Sequence, residues 1–182
     1  MDRLAGIQRE EIPAEQQHYF DEIANADTGF LPAVMKLLLY QPPLALAVHR
    51  VGELVRFESQ VPRDVIELVV LTTARELDCK REWAVHVPQA RRQNIREEVI
   101  QAIGHRQMPT GLTDEETTLI TFTQELIRNH RVPQDIFDKV QTRFGDVAMM
   151  ELTALIGHYS LLATVMNAYD VEPNPEAAVL PD

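Results

Sequence analysis

The chain has 182 residues, 45% of them hydrophobic and 25% charged, with a net charge of −11. That composition excludes a disordered polypeptide and is enough for one domain with a sizeable interior. The acidic balance argues against nucleic-acid binding, which needs a basic surface, and an anionic ligand would need a local positive pocket. A single cysteine cannot form an intrachain disulfide and fits a reducing, cytoplasmic setting.

Residues 1–12 are polar, with Ile7 and Ile12 expected to tack onto the surface. They have no apolar stretch of the kind a signal peptide carries. Pro13 is suited to the first turn of a helix over Ala14 to Asn25, because its missing N–H would be unpaired there anyway. Thr28-Gly29 breaks that helix, and a second runs from Leu31-Pro32 to Gln41. Pro42-Pro43 opens a third, Leu44 to Glu58, in which Leu46, Val51, Leu54 and Val55 are spaced for one face. Pro62 opens the next, whose run from Val65 to Leu77 is apolar almost all round and so expected to be buried. Its β-branched content would also suit a strand. Its length favours a helix.

A turn near Asp78 leads to a helix over 79–91, where Pro88 should produce a kink. Asn94 ends it, and Arg96 to His105 form a short helix. Met108-Pro109-Thr110-Gly111 reads as a loop. Thr113-Asp-Glu-Glu116 is a capping box that starts a helix to Asn129. Gln134 to Phe144 is the next helix, ended by Gly145. Asp146 caps a last one to about Tyr169. Its apolar part, Val147 to Met166, is interrupted by Glu151 and His158 and reads as a buried or interfacial helix, not a membrane span. The tail from Glu172 to Asp182 is Pro-rich and expected to be extended, lying on a partner. With no hairpin signal, the fold class is all-α, a bundle of about eight helices.

Groups able to move protons are concentrated between Glu67 and His86. Cys79, Glu82 and His86 follow one another at i, i+3 and i+7, which places them on one face of a helix. Glu67 lies ~16 Å before the turn and His86 ~12 Å after it, so two helices packed side by side would let them face each other. Glu67 interrupts an apolar run, and a buried carboxylate must be paired or protonated. Glu82 stands four residues before His86, a contact distance on a helix. Against these readings stand ordinary ones: a structural bond for Glu67, a surface ion pair for Glu82, a core histidine, a small buried thiol. His86 is favoured as an acid or base because acidic residues are placed to orient it. For Cys79 the two readings balance, since a carboxylate beside it works against a thiolate. Trp83 reads as packing or a pocket wall, and His158-Tyr159 as a buried hydrogen-bonded pair, the alternative being that one of the two faces the pocket. No repeated ligand set for a metal is present, so no metal or cofactor is expected.

Glu67, eleven residues, then Cys79-x-x-Glu82-x-x-x-His86 resembles the active-site pattern of the carboxymuconolactone decarboxylase and alkylhydroperoxidase D-like superfamily. The similarity spans about 30–175, including "ELVVLTTAREL" and "ELTALIGHYSLLATVMNAY". Glu82 replaces the second cysteine of the redox branch, so the form resembles the decarboxylase-like branch. The resemblance implies a helical bundle of the alkylhydroperoxidase D-like type assembled as a homo-oligomer, trimer or hexamer. It implies cofactor-independent decarboxylation or related proton transfer on a small carboxylated lactone or acid. His86 would be the acid, Glu67 and Glu82 would tune it, and Arg75 or Arg81 would hold the carboxylate. The alternatives are a single-cysteine thiol peroxidase, with Cys79 resolved by an external thiol, and a non-enzymatic binding protein.

Overall fold

A computed structural model describes residues 3–24, 28–107 and 111–182. The predicted end of the first helix at Asn25 and most of the predicted loop at Met108–Thr110 lie outside them. Among the described residues there is no strand. The helices are α1 (Gln17–Ile23), α2 (Ala33–Leu38), α3 (Pro42–Glu53), α4 (Arg63–Glu76), α5 (Lys80–Arg92), α6 (Glu97–Gly104), α7 (Asp114–Arg128) and α8 (Gln134–Ala168). Short 3-10 turns at Arg9–Glu11 and Ala14–Gln16 precede α1. Ile12 is a core residue rather than a surface tack.

α4 is the central element and packs against α5, α7 and α8. Every residue from Val65 to Arg75 is buried, as the unbroken apolar run required. A polar anchor holds α7 to it: Glu76 accepts from Arg128 Nη2 at 2.6 Å and from Gln124 Nε2 at 3.1 Å. At the end of α4, Asp78 takes φ 49° and Cys79 N–H reaches back to Ala74 O at 2.8 Å. This left-handed residue closes α4 and reverses the chain, with Cys79 as the N-cap of α5. Asn94, at φ 62°, closes α5 in the same way. Helix α5 runs through Pro88 to Arg92 without interruption.

Two further expectations are corrected. In α3, Leu46 and Val55 are buried as expected, together with Ala45, Val48 and Gly52, while Val51 and Leu54 are 42% and 55% exposed. The reason is ordinary helical spacing: Ala45, Val48, Gly52 and Val55 recur at i, i+3, i+7 and i+10 on one face, whereas Val51 and Leu54 fall outside it. Past α3 the chain enters a π turn, Leu54–Glu58. The tail lies on its own chain, with Leu180 buried and Pro181 O accepting from Arg75 Nη1 at 2.8 Å. Trp83 is buried beside Gly104, in the packing role that was one of its two readings. It packs where the tail also lands, since Pro181 approaches the same glycine.

α8 is two helices joined at Gly145, whose φ 81° and ψ 172° fall in a region open only to glycine. It is long and apolar enough to cross a membrane, yet half of its most apolar window is buried in the fold, as in a core helix. A Cβ at Gly145 would meet nothing within 4 Å, so the cost of adding one is purely backbone. Gly145→Ala should therefore destabilise by about 1–3 kcal/mol. Gly157→Ala, equally unobstructed but inside regular helix, should be neutral or stabilising by about 0.5–1 kcal/mol. Urea unfolding of the two variants beside the parent checks both signs.

Candidate active site

The Asp78 reversal sets α5 alongside α4 and brings Glu67 and His86 face to face. His86 Nδ1 lies 2.7 Å from Glu67 Oε2 in a buried hydrogen bond. His86 Nε2 lies 3.2 Å from Glu82 Oε2, a looser contact one helical turn away on α5. Both ring nitrogens therefore face carboxylates that come from different helices. Glu67 and Glu82 are each 6% exposed, His86 is 2% and Cys79 0%. The cluster is dry and closed.

Cys79 joins it at one end. As N-cap of α5, its sulfur is approached by the backbone N–H groups of Glu82 and Arg81 and by the Glu82 carboxylate. The imidazole bears on the sulfur through Glu82, because both of its nitrogens are already engaged. Tyr159 from α8 closes the other side, its ring 5.1 Å from His86 and edge-on at 88°. His158 is one ring further out, 5.4 Å from Tyr159, in space left by Gly52, where a Cβ would come within 3.0 Å of its Nε2. Of the pair, Tyr159 is thus the member that touches the cluster.

The arginines expected to hold a carboxylate are turned elsewhere. Arg75 is engaged by Asp78 and the tail carbonyl, and Arg81 by Asn174. The guanidinium at this site is Arg56 on the π turn, 6.0 Å from the Tyr159 ring centroid. Its signal in the sequence was faint: one basic residue between Val55 and Phe57. A cleft of about 380 Å³ opens among Phe122, Leu126, Met149 and Met150, and its walls include none of the four clustered side chains. Among the described residues no group of three or more His, Cys, Asp or Glu is arranged to hold a metal ion.

The model of the carboxymuconolactone decarboxylase family matches residues 42–125, a span that contains α3, α4 and α5 and so the whole Glu67–His86 motif. An alkylhydroperoxidase D core protein from Ralstonia eutropha JMP134 superposes with TM-score 0.78 at 16% identity, covering 96% of this chain and 93% of that one. The chain thus carries a carboxymuconolactone decarboxylase family match over 42–125 within a helical fold like that of the alkylhydroperoxidase D core protein. A peroxidase-related protein from Silicibacter sp. TM1040 gives TM-score 0.75 at 18% identity over 96% and 93% of the two chains. A cysteine-to-alanine variant of the debrominase Bmp8, in complex with 2,3,4-tribromopyrrole, gives 0.73 at 16% over 94% and 91%. At these identities the likeness establishes the fold. No curated protein matches the sequence significantly.

Within this superfamily fold the electrostatics divide the four groups. Burial pushes the His86 pKa down, but the bonds to Glu67 and Glu82 outweigh it and the net shift is upward. Burial pushes the Cys79 thiol up to about 11, and the charge of Glu82 adds to this against the helix N–H groups. Burial also lowers His158 to about 4 and raises the Tyr159 phenol. The two carboxylates thus favour the protonated form of His86, and burial favours the neutral form of the Cys79 thiol.

A histidine whose folded value exceeds its unfolded 6.5 contributes stability that is complete below 6.5 and lost as pH rises through the folded value. The parent should lose stability on that alkaline side. Glu67→Gln should bring His86 titration down, flatten that slope, and cost about 3–5 kcal/mol by breaking a buried pair. Imidazole NMR titration with urea unfolding across pH tests this, and a parent His86 titrating below 6.5 would contradict it.

Proposed function

We propose that the chain is a cofactor-independent enzyme that moves a proton between His86 and a small carboxylated substrate, of the carboxylated-lactone class from which the matched family takes its name. The observation that carries this reading is the imidazole clamped by two carboxylates in a dry cluster, with its proton affinity raised. In such a reaction the bond to the substrate carboxyl breaks and carbon dioxide leaves. The electron pair passes into the substrate's conjugated carbonyl. The resulting enolate carbon then takes a proton. Glu67 holds Nδ1 by the shorter bond and fixes the ring. Nε2, with the looser contact, is the end that delivers, directly or through Glu82. The imidazole regains its proton from solvent once product leaves. Exclusion of water favours loss of the charged carboxylate and keeps the proton in place. Because the cluster is closed, a ligand enters only as neighbouring side chains give way.

A second reading is favoured by one observation, the position of Cys79 at the amino end of α5, where backbone N–H groups favour a thiolate. A single-cysteine peroxidase would oxidise that sulfur to a sulfenic acid and rely on an external thiol to reduce it. The superfamily relatives described as peroxidase-related support it. The thiol value of about 11 weighs against it, leaving roughly one sulfur in ten thousand ionised at pH 7. Exposed apolar side chains on α3 and the π turn, Leu44, Val51, Leu54 and Phe57, and on α8, Val147 and Met150, support a homo-oligomer.

Loss of carboxymuconolactone, followed by ultraviolet absorbance, separates the two readings. His86→Ala should lower turnover by roughly 10²–10⁴-fold and Glu67→Gln by a comparable factor, with Cys79→Ser close to the parent. Retained turnover in His86→Ala would remove the assignment. Peroxide consumption abolished by Cys79→Ser would instead favour the thiol reading.

A further inference from the structure

We propose that Arg56 is the anion-binding residue of this site and pairs with the carboxylate of its ligand. The inference rests on reading the Glu67–His86–Glu82 chain as the active site, and it supplies what that chain lacks. Two carboxylates and one imidazolium carry one more negative than positive charge, so an anionic ligand brought to them is repelled unless a cation meets it. A protein of net charge −11 offers no help from its overall field.

Arg56 has the properties required. Its Nε is buried and has no hydrogen-bond partner. Among the described residues no carboxylate lies within ion-pair distance of it, although Glu53 and Glu58 are close in sequence. Arg75 Nε is buried and unpartnered too, but the Arg75 guanidinium is already engaged through Nη1 by Asp78 and the Pro181 carbonyl, and Arg106 pairs with the same Asp78. A buried donor left unpaired is uncommon in a native fold and calls for a missing partner. The planar fork of a guanidinium matches a carboxylate in two parallel bonds.

Its position is equally specific. Arg56 lies 4.8 Å from the Phe57 ring centroid, and the Arg63 guanidinium lies 4.9 Å from the same ring. Two cations around one aromatic ring make a local positive spot. On its inner side Arg56 faces the ring of Tyr159, which is the residue that touches His86. Its charge reaches both rings, opposing protonation of His158 and favouring ionisation of Tyr159. The π turn that carries it is a conformation met chiefly at functional positions. A small acid with its carboxylate on Arg56 would lie along Tyr159 with its carbon frame directed at His86.

Benzoate and benzamide, alike in shape and different in charge, are the probes. Their binding is read from the imidazole resonances of His86 and His158, in the parent and in Arg56→Gln, Arg56→Met and Arg56→Lys, with helicity checked by circular dichroism. Benzoate should bind the parent at least tenfold more tightly than benzamide. That preference should vanish in the Gln and Met variants and survive in part in Lys. A parent with no preference for benzoate, or a neutral variant that keeps it, overturns the proposal, and the parent comparison needs no variant to fold. Carboxymuconolactone turnover is measured alongside. No turnover with an Arg56-dependent preference sinks the decarboxylase reading and leaves the anion site standing. Turnover indifferent to Arg56 does the reverse.

Discussion

The contact between Glu67 and His86 is the constraint on which the rest of this molecule depends. It joins the central helix α4 to α5 across a dry interface by a 2.7 Å hydrogen bond. Neither partner tolerates that environment alone. A carboxylate placed among Ile66, Leu68, Val69 and Val70 would be strongly disfavoured without a cation, and an imidazolium without an anion equally so. Together they fix the rotation of two helices relative to each other. The left-handed turn at Asp78 makes the pairing geometrically available, and the pairing then selects one register of α5 on α4. A hydrophobic contact at the same place would have stabilised the bundle with less risk. A charged pair there is better explained by chemistry than by stability.

The same pairing decides what Cys79 can do. A thiol becomes nucleophilic when a positive charge faces it, and His86 is the available cation. Glu82 takes the second nitrogen of that ring, and burial first, with the Glu82 charge added, outweighs the helix N–H groups and pushes the thiol up to about 11. A cysteine at the position of Glu82 would have left Nε2 of the imidazole free to act on sulfur.

Much of this was legible in the sequence, because the signals were local. The prolines at 13, 42, 43 and 62, the Thr113–Glu116 box and Gly145 mark helix boundaries through backbone chemistry that no distant contact overrides. The approach of Glu67 to His86 followed from helix rise and one reversal. What escaped depended on geometry that the amino acids do not announce. Val51 and Leu54 are apolar yet point outward, because the face that packs is set by the small residues Ala45 and Gly52, which carry little hydrophobic signal. Trp83 and the tail went to each other because Gly104 leaves room for both, a fit visible only once α6 is in place. Arg75 and Arg81 lie near the motif in sequence but bond to Asp78, the Pro181 carbonyl and Asn174, whereas Arg56 is brought beside Tyr159 by the packing of the π turn on α8.

Closure of the cluster gives these charges their weight. In bulk water an imidazole between two carboxylates would be a weak arrangement, screened within about 8–10 Å by salt. With every member almost free of water, each charge acts on its neighbours at short range and low dielectric, and the balance of signs becomes decisive. A cluster with an excess negative charge holds its proton firmly. It releases it readily only to a centre whose own negative charge has just appeared nearby, as on a carbon losing its carboxyl group. Before that moment the ligand's carboxylate has to be tolerated in the same confined space. That requires a cation near enough to offset it, yet separated from His86 so that the imidazolium is not itself displaced. Arg56, 6.0 Å from the centroid of the Tyr159 ring that itself packs on His86, is the cation proposed to meet both conditions.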